Sequence, residues 1–211
     1  MWNSKQTNHS IDYLAKQIQN NDTLITGLSF KFNYLPFEHL LKINDSLAYN
    51  KTLIRLDLSN NRFQSSVVGW LLKTLENNKS LADLNLSSNL LDDDFATSLA
   101  NCLEKNQILF KVDISNNPIG PDGAKVIFNV LLSENDTLGS LGDLSTSVSM
   151  GVRVREELSQ ALTLNSSNHE KRKDYINQTK LGTAKTFLDG DKLAMESGKS
   201  KTSKIDVPVT V

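Results

Sequence analysis

The chain has 211 residues, 38% of them apolar and 22% charged, with a formal net charge of −1. That length allows one domain with a substantial core plus a tail, and the near-neutral balance gives no global pull toward nucleic acid or an anionic membrane. A single cysteine, Cys102, excludes an internal disulfide framework and a multi-thiolate metal site. No apolar run approaches the ~20 residues of a membrane span. The opening "MWNSKQTNHSIDYLAKQ" lacks the basic start, apolar stretch and small-residue cleavage site of a secretory leader. The expectation is a soluble protein in a reducing, cytoplasmic setting, with no cofactor, no nucleic-acid partner and no membrane insertion.

Residues 1–22 predict a helical half-repeat that covers one end: Ser10 precedes Ile11, Leu14, Ala15 and Ile18, a helical apolar stripe. Residues 23–137 then repeat at a period of 28. Ile25, Leu28, Phe30, Asn33 and Leu35 align with Leu53, Leu56, Leu58, Asn61 and Phe63, with Leu81, Leu84, Leu86, Asn89 and Leu91, and with Leu109, Val112, Ile114, Asn117 and Ile119. The first half of each copy alternates, as in Leu56-x-Leu58, which predicts a short strand with one buried face. The second half changes period: Val68, Leu71, Leu72 and Leu75 lie on one helical stripe, matched by Ala96, Leu99, Ala100 and Leu103 and by Ala124, Ile127, Phe128 and Leu131. The first copy supplies Leu40, Ile43, Asn44 and Leu47, with Asn44 as a polar misfit. Each unit owns two apolar faces and cannot bury both alone, so the units must stack.

Asn33, Asn61, Asn89 and Asn117 fall where the chain leaves each strand. An amide has donors and acceptors to satisfy the backbone groups of that turn, so a structural ladder is expected. Asn50, Asn78 and Asn135 match the glycosylation sequon, but the repeat register gives each another reason to be Asn. The run Asp92-Asp93-Asp94 stands where other copies have Gln64-Ser65-Ser66 and Gly120-Pro121-Asp122; all are predicted helix starts, with Asp92 as a cap and two acids at the positive end of the helix dipole. Pro121 suits a first helical turn. Residues 138–164 form a degenerate closing repeat that keeps Leu138 and Leu141, loses the Asn, and draws its helix through Val154, Leu158, Ala161 and Leu162. Residues 165–211 hold nine Lys/Arg against six Asp/Glu and few large apolar residues, which predicts a slightly basic tail, disordered or loosely docked.

The motif L-x-x-L-x-L-x-x-N-x-L, four times over, resembles the leucine-rich repeat. The 28–29-residue length, the second-half helix and phrases such as "NNPIGPDGAKVIFNVLLSENDTL" are similar to its ribonuclease-inhibitor-like subfamily, over roughly residues 10–164. The resemblance implies an α/β solenoid: a short right-handed horseshoe arc with a parallel sheet on the concave side and helices on the convex side. It also implies a non-catalytic protein–protein interaction module or scaffold. Proteins of this kind include regulatory subunits, cytoskeletal cappers and effectors that bacteria deliver into host cells; the Asn- and Lys-rich composition and the tail suit an effector, and suit a protist protein equally.

Two surfaces are candidates for the partner. The outward strand positions form columns: Gly27, Arg55, Asp83 and Lys111; Ser29, Asp57, Asn85 and Asp113; Lys31, Ser59, Ser87 and Ser115. Arg55, Asp57, Asp83, Asn85, Lys111 and Asp113 are the concave candidates. The loops after the strands give a more aromatic rim of Phe32, Tyr34, Arg62 and Leu90, with Phe37 and Pro118 nearby. One branch of the family activates a small GTPase through a loop arginine, which makes Arg62 the alternative functional residue.

Chemistry has little to work with. His9, His39 and His169 are far apart and outside the repeat's core pattern, and Cys102 sits in the helix slot held by Thr74. Gly198-Lys199-Ser200 lacks the earlier glycine of a phosphate loop, with Leu193 in its place. Val209-Thr210-Val211 has the form read by carboxylate-binding domains, a three-residue match. No small-molecule substrate is expected.

Overall fold

The computed structural model describes residues 4–32 and 34–166. Its elements follow the repeat: α1 (Ser4–Gln19), β1 (Gly27–Ser29), α2 (Phe37–Leu47), β2 (Arg55–Asp57), α3 (Ser65–Leu75), β3 (Asp83–Asn85), α4 (Asp93–Lys105), β4 (Lys111–Asp113), α5 (Pro121–Ser133), two short 3-10 turns, and α6 (Val152–Ser166). The strands make one parallel sheet in the order β1-β2-β3-β4, as expected when each strand returns through its own helix. The register equals the repeat: Leu28, Leu56, Leu84 and Val112 face one another, all buried. The chain is an α/β leucine-rich repeat solenoid.

The interior is continuous from Ile11 to Leu162. Leu53, Leu58, Leu81, Leu86, Leu109 and Ile114 are fully buried and meet the helical stripes of Leu40, Leu71, Leu99 and Ile127. Each such side chain contributes about 1.5–3 kcal/mol relative to exposure. Phe128, on the same stripe, is only partly buried.

Each end closes differently. Helix α1 packs on α2 and buries Ile11, Leu14 and Ile18; it begins at Ser4, so Ser10 lies inside the helix and does not start it. At the other end Ser140 bridges Lys111, and Gly139 N–H donates to Phe110 O at 2.8 Å, continuing the sheet without a full strand. Helix α6 buries Val154, Leu158, Ala161 and Leu162, the positions its stripe predicts, and runs to Ser166. Of the tail proposed for residues 165–211, the part from residue 167, with its GKS and VTV sequences and His169, lies outside the described residues, as does Asn33.

The asparagines bind the layers together. Asn61 Nδ2 donates to Phe30 O, Leu58 O and Ser59 O at 2.9, 3.0 and 3.1 Å, while its Oδ1 accepts from Leu35 N–H at 2.9 Å. Asn89 Oδ1 accepts from Asn61 N–H and Phe63 N–H, and Asn117 Oδ1 from Asn89 N–H and Leu91 N–H. Every amide satisfies both its own turn and the preceding repeat. A second ladder runs along the opposite corner: Asn50, Asn78, Asn106, Asn135 and Asn165 donate to Ile18 O, Leu47 O, Leu75 O, Leu103 O and Asn135 O. Burial there explains why the sequons of Asn50, Asn78 and Asn135 are register and not acceptor sites.

Candidate functional site

The acidic run is structural. Asp92 Oδ1 accepts from Asp94 N–H at 3.1 Å and from Ser65 Oγ at 2.5 Å, so it caps α4 and ties it to α3. Its hydrogen bond from Ser65 holds the carboxyl below the usual range. Asp93 Oδ1 accepts from Gly120 N–H at 2.6 Å and links α4 to the next repeat.

Cys102 is buried, and burial with the nearby Glu76 carboxylate pushes its thiol up to about 12, which removes thiolate chemistry. His39 differs from its sequence reading. It is buried in α2 because its slot, shared with Val67, Phe95 and Gly123, turns toward the neighbouring helix; burial, with Lys42, lowers its pKa. Among the described residues no group of His, Cys, Asp and Glu is arranged to hold a metal ion. No helix there is long and apolar enough to cross a membrane.

On the sheet face the register sets Gly27, Arg55, Asp83 and Lys111 side by side. Arg55 Nε lies 3.7 Å from Asp83 Oδ2, and the missing side chain at Gly27 opens a depression of about 220 Å³ in front of the column. Burial pushes the Asp83 carboxyl up against the attraction of Lys111 and Arg55, with Asp113 and Asp57 adding to the rise. The second column is occupied with local work. Asp57 Oδ1 accepts from Ser59 N–H at 2.9 Å, Asn85 Oδ1 from Ser87 N–H at 3.0 Å, and Asp113 Oδ1 from Ser115 N–H at 3.0 Å. These Asx-type bonds turn the chain off the sheet. The third column is less open than expected: Ser59 and Ser115 are buried, not displayed, whereas Ser87 is half-buried.

The rim is different in kind. One slot per repeat, Phe32, Asn60, Ser88 and Asn116, takes a left-handed backbone with φ of +60°, +59°, +57° and +55°. Asn is enriched in that conformation; a bulky side chain is an outlier there. Two residues on, Tyr34 and Arg62 also have positive φ, +44° and +60°, whereas Leu90 and Pro118 do not. Phe32 and Tyr34 nevertheless leave 60% and 62% of their surface in solvent. Such a conformation costs of order 1–3 kcal/mol at each, with little burial to offset it. Leu90 is 50% exposed in the Tyr34 slot of the third repeat, and Phe37, at the start of α2, is also exposed. Two cations complete the rim: Lys31 Nζ lies 4.9 Å from the Phe32 ring centroid, and the Arg62 guanidinium 4.9 Å from that of Tyr34.

One exposed aromatic escaped the sequence reading. Trp70 on α3 is 63% exposed above a shallow groove with Gly69 and Ser98. Its slot holds Lys42, Ser98 and Val126 in other copies, so a tryptophan among mostly polar choices was the available signal.

Comparison with known proteins agrees with this geometry. A leucine-rich repeat family model matches residues 49–66 and 105–128. Among solved structures, the tropomodulin C-terminal domain of Caenorhabditis elegans is similar with a TM-score of 0.66 at 18% identity, covering 77% of this chain and 97% of that one. Leiomodin-1 actin-binding site 2 is similar with a TM-score of 0.66 at 22% identity, covering 81% and 96%. No curated protein matches in sequence. A parallel strand and a helix in each 28-residue unit, layers joined through the Asn turn, and a family model that matches two stretches of the repeat together give this chain the leucine-rich repeat fold.

Proposed function

We propose that this chain is a non-catalytic protein-docking module whose contact surface is the loop rim of the first repeats, centred on Phe32, Tyr34, Arg62 and Leu90. The observation that carries the reading is the pair of exposed aromatics in left-handed backbone, Phe32 and Tyr34. Aromatic and arginine side chains dominate the energetics of protein interfaces because they supply large contact area at low entropic cost. The repeat length supports membership of the ribonuclease-inhibitor-like subfamily. A photo-crosslinking amino acid at position 34, and separately at position 111, in the native cell tests the reading. A discrete adduct from position 34 is expected; an adduct from position 111 alone moves the site to the sheet face.

The sheet face is the second reading, favoured by Asp83, whose ionised form the fold disfavours. A group held against its preference is a functional-site signal. Actin is the first partner to test, because a neighbour of the same fold is described as an actin-binding site. Co-sedimentation with filaments, and binding to monomers, should fall on Phe32→Asn with Tyr34→Asn if actin is the ligand. The GTPase-activating alternative rests on Arg62, which here stacks on Tyr34; equal GTP hydrolysis with wild type and Arg62→Ala would remove it. Delivery into a host cell as a bacterial effector rests on composition, and a translocation reporter fused to the chain tests it.

A further inference from the structure

Resting on the rim as the docking surface, we infer that its occupant is an amphipathic helix of a partner protein carrying an acidic residue among its apolar anchors. Tyr34, Arg62, Leu90 and Pro118 occupy one slot in four successive repeats. Sheet neighbours lie ~4.8 Å apart. A helix brings a side chain back to one face about every 5.4 Å, so its anchors at i, i+3 or i+4, and i+7 step along the slots nearly one for one. An extended segment repeats its face roughly every 6.7 Å and slips by about 2 Å at each slot.

The backbone of the rim disfavours strand addition independently. Pairing with an added strand needs unpaired main-chain donors and acceptors in a row. Here Phe32 N–H donates to Ser59 O at 3.2 Å, Asn60 N–H to Ser87 O at 3.0 Å, Ser88 N–H to Ser115 O at 2.9 Å and Leu90 N–H to Phe63 O at 2.9 Å. These loop donors are already spent on the neighbouring repeat. Recognition then falls to side chains, and the ligand best suited to it satisfies its own backbone, which a helix does.

Charge selects the polar anchor. Among the described residues neither Arg62 nor Lys31 forms a salt bridge; each lies over an aromatic ring. A carboxylate arriving at the rim meets two cations held in place by those rings, whereas an incoming lysine is repelled. The acidic position belongs at the Arg62 slot, between the aromatic pair of the first repeat and Leu90.

Selection of a displayed library of random 16-residue peptides on the full chain provides the test, with the Phe32→Asn/Tyr34→Asn variant as counter-target after its melting curve confirms folding. Clones that bind only wild type should share apolar residues at i, i+3 or i+4, and i+7 with Asp or Glu between them. Replacing that acid by Lys should weaken binding at least tenfold on wild type and restore it on Arg62→Glu. Rim-dependent clones with an i, i+2 apolar pattern, or with no acid, overturn the helix inference while the docking surface stands. A library yielding no rim-dependent clone also overturns it. The docking reading falls separately, if the crosslinker at position 34 captures nothing while that at position 111 does.

Discussion

The first and third repeats share one register and fill it with opposite choices. Where the third repeat places Ser88 in the left-handed slot, the first places Phe32; where the third relaxes at Leu90, the first holds Tyr34 at positive φ. Inside, the third repeat's helix presents an unbroken apolar stripe with Ala100 in the slot where the first buries Asn44, whose Oδ1 has no hydrogen-bond partner. Regularity in the middle and bulky left-handed residues at one end separate layers held on both sides from a layer that is not. An interior layer is constrained on both sides, so any departure is felt by two neighbours. The first layer has only α1 behind it and can carry less favourable residues.

The contrast can be broken most forcefully in the regular part. Asn89→Ala removes the acceptor for Asn61 N–H and Phe63 N–H, both buried. Stability should fall by about 3 kcal/mol, the upper end for unpaired buried donors, read as a lower urea midpoint. A loss no larger than a surface substitution would mean that water replaces the amide and that the ladder does not join the layers.

In the first repeat the same kind of change should run the other way. Asn44→Leu fills a slot that holds Leu72 in the next repeat and removes an unpaired buried oxygen, so it should stabilise the chain by about 1–2 kcal/mol. Phe32→Asn, matching Asn60 and Asn116, should raise stability by about 1 kcal/mol through relief of the left-handed strain, and weaken partner binding at the same time. Opposite signs on the two readouts sharpen the contrast; a destabilised Phe32→Asn would show that the ring packs for folding.

The smallest effect is expected at Asp83. Its folded pKa is raised, so the folded state binds the proton more readily than the unfolded chain. Its contribution to stability is present below the ordinary carboxylate range near 3.8 and is lost as pH rises through the higher folded value. Asp83→Asn removes that loss, so the melting temperature of the variant minus wild type should increase between pH 3 and pH 7. Glu76 contrasts with it on the helix side. Burial pushes that carboxyl up, but hydrogen bonds from Lys105 and Lys73 outweigh burial and hold it below its ordinary range. Its contribution is therefore present at neutral pH and lost on acidification through the folded value.

Periodicity carried most of the architecture because the repeat is its own alignment. Leucines at a spacing of 28 specify both the buried residues and the cross-strand register, and the structure pairs Arg55 with Asp83 and Asp83 with Lys111 as that spacing requires. The surface was legible only in part. Columns could be named, but not how open each position stays: Ser59 and Ser115 are buried while Ser87, with the same two-residue bond, is not. His39 was hidden from the sequence for a related reason: its slot flanks the apolar stripe, and whether a flank is covered depends on the packing of the adjacent helix, which the spacing does not record.

The amino-acid order by itself determined that identical layers stack, which faces they bury, and which residue types fill the turns, because hydrophobic burial and amide pairing act over the span of one repeat. The tertiary structure alone decided where the backbone is forced into left-handed geometry and which side chains remain in solvent there. Strain and exposure at Phe32 and Tyr34 are set by the path of the chain across neighbouring repeats, and no local pattern of residues encodes that path.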